Sequence, residues 1–83
     1  MSKYDALRRY FESQTMAEVV MEFKDIEKIL GSNLPPSARM YRAWWSNERG
    51  GSHIHCRSWM DVGYVVDQVD SVRERVIFRR KYR

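Results

Sequence analysis

Between Phe23 and Trp45 the chain reads FKDIEKILGSNLPPSARMYRAWW, and this stretch restricts the fold more than any other. Phe23, Ile26, Ile29 and Leu30 recur at i, i+3, i+6 and i+7, the apolar stripe of a short helix. Gly31 follows as a stop, because glycine reaches the left-handed conformation that closes a helix. Glu22 and Asp25 take the N-cap and N3 places of a capping box, but glutamate is a poor N-cap, so a weakly fixed start is expected. Pro35 and Pro36 are excluded from a helix interior and suit a first turn. A second helix is therefore expected from about Pro36 to Ser46. It would carry Ala38, Tyr41 and Trp45 on one face, and Arg39 and Arg42, three residues apart, together on another.

The flanks extend this pattern. Tyr4, Leu7, Tyr10 and Phe11 predict a first helix over residues 3–13, and EVVME at 18–22 predicts a short strand. After a loop from Asn47 to Gly51, Ser52 is placed to cap a further short helix over about 53–61, ended by Gly63. From Tyr64 the period becomes two. Tyr64 and Val66, then Val65 and Val69, alternate along one strand, and Val76 and Phe78 mark another, with Asp70 to Glu74 as the connection.

Length and charge bound the function. Eighty-three residues make one small domain, 1–83, whose limited core makes dimerisation a plausible source of stability. No apolar run approaches the ~20 residues of a membrane span. The charged start MSKYDALRRYFESQ lacks a signal-peptide core, and the single cysteine, Cys56, excludes an internal disulfide, so a cytoplasmic protein is expected. Residues 73–83, RERVIFRRKYR, hold six basic groups and one acidic, while the other 72 hold nine basic and ten acidic. The whole positive excess lies in the C-terminal segment and its basic end, 79–83. Such a concentration suits a polyanion; the bland alternatives are a solvated tail, or a charged strand edge that blocks aggregation.

The order of helix, strand, helix, helix, helix and hairpin resembles a winged helix-turn-helix. That resemblance implies an α+β fold, with three to four short helices packed on a small antiparallel sheet of the N-proximal strand and the C-terminal hairpin. The extra helix before the hairpin departs from the simplest form, and leaves open which helix faces a ligand. FKDIEKILG, LPPSARMYRAWWSN, CRSWMDVGYVVDQVD and RVIFRR also resemble a small bacterial and phage domain of uncharacterised function. Its pattern is F-x-x-I-E-x-I-L-G, L-P-x-S-A-R-x-x-R-A-W-W-x-N, W-x-x-x-G and V-x-F-x-R. This resemblance covers most of the chain and implies a stand-alone or accessory module that binds nucleic acid. The loop ERGGSHIH is longer and more glycine-rich than that pattern.

The leading expectation is a small double-stranded-DNA-binding protein, a transcriptional regulator or an architectural or accessory factor, acting as a homodimer that reads two half-sites. Helix 36–46, with Ser37, Arg39 and Arg42, would enter the major groove, and the hairpin would hold the backbone through Arg73 and Arg75, with Arg79, Arg80, Lys81 and Arg83 adding phosphate contacts. If the following helix reads instead, His53, His55, Arg57 and Ser58 would face the ligand. The structural alternatives stand beside these. Arg39 and Arg42 would simply pair with Glu27 or Asp25, and Tyr41 and Trp45 would be core. Trp44 would be core or dimer packing rather than a platform for stacking a base. A second expectation is a protein-interaction adaptor with Trp44, Trp59 and Met60 exposed to a partner; RNA binding is a third. His53, His55 and Cys56 are too few for a structural zinc site and read as a solvated loop or helix start, so no metal and no cofactor is expected. With no phosphate-binding glycine loop, nucleophile elbow or H-E-x-x-H, the chain does not read as an enzyme.

Overall fold

Leu7 and Phe11, one helical turn apart, are buried and anchor α1 (Asp5–Glu12) in the computed structural model, which describes residues 3–48 and 54–81. The Ser13 hydroxyl donates to the Tyr10 carbonyl at the end of the helix. Strand β1 (Glu18–Glu22) buries Val19 and Met21 and exposes the residues between them. It runs directly into α2 (Phe23–Leu30), where the expected capping box is present, the Asp25 carboxylate accepting the Glu22 amide at 3.0 Å. Gly31 ends α2 at φ 75°, in the left-handed region where a residue with a Cβ is strained.

The next helix is shorter than expected. Helix α3 spans only Pro36–Met40; Tyr41 is extended, at φ −126° and ψ 119°, and the chain resumes as a 3-10 turn, Arg42–Trp45. In a helix through Ser46, adjacent Trp44 and Trp45 would point about 100° apart. Breaking the helix at Tyr41 lets both enter the core, where they are 8% and 2% exposed. The broken helix also leaves the Ala38 carbonyl without the Arg42 amide, and the Trp45 indole N–H takes it at 2.8 Å. The expectation that Tyr41 is core is corrected by the same break, which turns Tyr41 outward, 59% exposed.

Beyond the undescribed residues 49–53, a second 3-10 turn (Ile54–Cys56) leads into α4 (Arg57–Met60), in place of the continuous helix expected over 53–61. The Ser52 cap, His53, Arg83 and most of the ERGGSHIH loop lie outside the described residues. Strands β2 (Tyr64–Asp70) and β3 (Arg75–Arg80) form the hairpin, and β1 pairs antiparallel with β3, giving the order β1-β3-β2. Between Val66 and Gln68 the register slips, extruding Asp67 as a bulge.

The helices cover one face of this sheet. Its core is aromatic: Phe23 stacks on Trp45 at 5.2 Å, Trp45 on Trp59 at 6.1 Å, and Phe78 meets Trp59 at 5.4 Å and Phe11 at 4.6 Å. Trp59 is fully buried and Trp44 nearly so, which corrects the exposed patch of Trp44, Trp59 and Met60 expected for an adaptor. His55 is also buried rather than solvated; its ring stacks on Trp44 at 3.9 Å and its Nε2 lies 2.6 Å from the Trp44 carbonyl. Among the described residues no helix is long and apolar enough to cross a membrane.

Candidate nucleic-acid interface

Ending α3 at Met40 separates the two arginines expected to share a face. Arg39 stays on α3 and turns into the protein. Its Nη1 meets Glu27 at 2.9 Å, its Nε meets Glu74 at 3.1 Å, and its guanidinium lies 5.5 Å from the Phe23 ring. The hydrogen bond from Arg39, reinforced by that of the Leu34 amide, holds the Glu27 carboxyl below the usual carboxylate range. The bond to Glu27 likewise raises Arg39 above its ordinary value. Arg39 therefore ties α2, α3 and the hairpin turn together, which is the structural alternative weighed for it. Ser37 is half-buried, and its carbonyl accepts the Tyr41 amide.

Arg42 lies beyond the break and is exposed, its Nη1 3.3 Å from the Val69 carbonyl of β2. It belongs to a run, Met40–Tyr41–Arg42–Ala43, in which all four residues are exposed. The neighbouring hairpin end adds Arg73 and Arg75. The Asp70 carboxylate accepts the Val72 and Arg73 amides at 3.1 and 3.0 Å, and these bonds, the Arg73 amide first, hold it below its ordinary value. Glu74 closes the turn at φ 54°, a left-handed position unusual for glutamate. The Arg73 side chain stays 71% exposed, 3.7 Å from Asp70.

The remaining basic residues sit elsewhere. At about 3.3 Å per residue, Lys81 lies roughly 20 Å along β3 from Arg75. Arg79 is engaged by Asp67 at 3.2 Å and Glu18 at 3.8 Å. Arg80 is half-buried, donating to the Gln14 carbonyl at 3.0 Å and lying 5.1 Å from the Tyr64 ring, with its Nε buried and without a partner among the described residues. Lys81 is exposed at that far end, its amide bonded to the Gly63 carbonyl. Arg57 is exposed on α4 in a separate groove with Tyr4, Arg8 and Asp61. The accompanying reading of His55 and Ser58 as ligand-facing is corrected, since both are buried and the Ser58 hydroxyl donates to the His55 carbonyl. Thus the structure gathers Arg42, Arg73 and Arg75 at one end of the hairpin, places Arg79, Arg80 and Lys81 at the other, and sets Arg57 apart.

One family profile spans this whole unit: that of the Domain of unknown function (DUF7662), which matches residues 4–81. The chain belongs to that family. No curated protein and no solved structure matches it.

Within the DUF7662 domain, two features of the site went unread in the sequence. The first is Asn47. Its side chain serves the edge of β2 as a neighbouring strand would, donating to the Val66 carbonyl at 3.0 Å and accepting the Val66 amide at 2.9 Å, while the same oxygen accepts the Trp59 indole at 3.0 Å. The second is a groove of about 340 Å³ between the Arg42–Trp45 turn and the bulged part of β2. Arg42, Ala43, Asp67, Gln68 and Val69 line it and Trp45 closes its floor. Its trace in the sequence is the three-residue step from Val66 to Val69, which a bulge lets share one face. Among the described residues, no three His, Cys, Asp or Glu side chains gather as a metal site.

Proposed function

We propose that this domain is a small DNA-binding module of winged helix-turn-helix topology that grips duplex backbone rather than inserting a long recognition helix. The element order and the β1-β3-β2 sheet support that topology. The observation that carries the functional reading is Arg42 seated against Val69, which brings the exposed segment Met40–Ala43 beside the hairpin end bearing Arg73 and Arg75. A helix as short as α3 extends only about 7.5 Å, too little to follow a groove past several base pairs. Arginine forks pair with phosphate oxygens in any sequence, so three of them favour affinity over base discrimination. A homodimer, which would double the contacts, belongs to the same proposal.

The test is duplex affinity measured as salt rises. Three phosphate contacts give a slope of log affinity against log salt of about −3. Absence of binding to any duplex at low salt refutes the proposal.

A further inference from the structure

We propose that the groove between the Arg42–Trp45 turn and the β2 bulge holds one unpaired nucleotide, so that the preferred ligand is DNA in which a duplex meets a single strand. The inference rests on the duplex-backbone reading above and names the substrate class of the same surface.

The groove, about 340 Å³, is large enough for a nucleobase with its sugar. Its walls divide by chemistry. Ala43 and Val69 supply apolar surface for the flat faces of a base, above the nearly buried Trp45. Asp67 and Gln68 line it beside the bulge; Gln68 offers both a donor and an acceptor to a base's exposed pairing edge, while one Asp67 oxygen is engaged by Arg79. Arg42, at the rim, brings a guanidinium for the adjoining phosphate. A base inside an intact duplex keeps its pairing edge engaged with its partner, so an intact duplex would use Arg42 and the hairpin arginines without filling the groove. An overhang or an extrahelical nucleotide would use both.

Asn47 keeps the groove open. Its two hydrogen bonds to Val66 occupy the strand edge and hold the turn at a fixed distance from β2, so the walls are preformed. The bulge lets Val66 and Val69 both pack on the core and leaves Asp67 and Gln68 exposed between them. Bulges often re-aim side chains beside functional sites.

The experiment compares three fluorescently labelled probes by anisotropy at low salt: a short blunt duplex, the same duplex with an unpaired tail, and the tail strand alone. The wild type is expected to bind the tailed duplex about tenfold more tightly than the blunt one, the gain of seating and hydrogen-bonding one base. Gln68→Ala removes donor and acceptor from an exposed strand position. It should erase that preference while leaving blunt-duplex affinity unchanged, which also shows that the variant is folded. Equal affinity of the wild type for blunt and tailed duplex overturns the groove assignment and leaves the backbone reading standing. The strand alone binding as tightly as the tailed duplex overturns the junction preference together with the backbone reading. No binding to any probe overturns both.

Discussion

The Trp45 indole N–H donates to the Ala38 carbonyl at 2.8 Å, occupying the acceptor that a continuous helix would offer to the Arg42 amide. One buried hydrogen bond thus stabilises the break at Tyr41, and the break exposes Tyr41 and Arg42. Trp45→Phe keeps most of the ring and its stacking on Phe23 but leaves the Ala38 carbonyl without that donor. The expected cost is about 2 kcal/mol, from the unsatisfied acceptor and the lost ring volume. Urea unfolding checks it as a lower midpoint at an unchanged slope.

Arg39 makes a second connection, joining Glu27 of α2 to Glu74 of the hairpin turn. Because Glu27 titrates lower in the folded chain than in the unfolded one, its contribution is fully present above the unfolded value, about 4.3. That contribution is lost as pH falls through the folded value. Stability is therefore expected to drop below about pH 4, and Glu27→Gln should flatten this acid limb while lowering stability at neutral pH. Thermal melts of both proteins from pH 3 to 7 decide it; parallel curves would show that the Glu27–Arg39 contact contributes nothing to the pH dependence.

Much of the fold was legible because it depends on local rules. The boundaries of β1 and α2, the Gly31 stop, the proline-initiated start of α3 and the strand pairing of the hairpin all follow from periodicity and turn chemistry within a few residues. Of the alternatives kept for Trp44, core or dimer packing against a stacking platform, its burial agrees with core. The helix through Ser46 failed because propensity cannot register two adjacent tryptophans that both find places in one core. The site was less legible for the same reason. Arg39 and Arg42 look equivalent in sequence; only the break, and Glu74 arriving from 35 residues away, make one a tie and leave the other exposed. The basic run 73–83 reads as one patch in a linear chain, whereas an extended strand carries its two ends apart.

Asn47 is expected to matter more than its exposed position suggests. Asn47→Ala removes three hydrogen bonds, leaving the Trp59 indole and the edge of β2 unserved. The expected loss is about 2 kcal/mol. An uncovered strand edge also invites pairing with other chains, so the variant should form larger species than the wild type as concentration rises. Sedimentation at two concentrations, alongside denaturant unfolding, tests both effects.

The separation of the basic residues makes the proposed interface directional. If the backbone lies across Arg42, Arg73 and Arg75, the pair Arg42→Ala/Arg75→Ala removes two phosphate contacts. Duplex affinity should then fall strongly, and the salt slope should decrease by about two units. Lys81→Ala, at the opposite end of β3, removes one positive charge from an exposed position without touching that surface. Loss of one charge from a diffuse basic field would weaken binding wherever it is made, but loss of a contact depends on place. Affinity and slope unchanged by Lys81→Ala, against a reduced slope for the double variant, would therefore locate the interface at the hairpin turn. Equal per-charge effects at both ends would show that the protein attracts DNA only through its net charge.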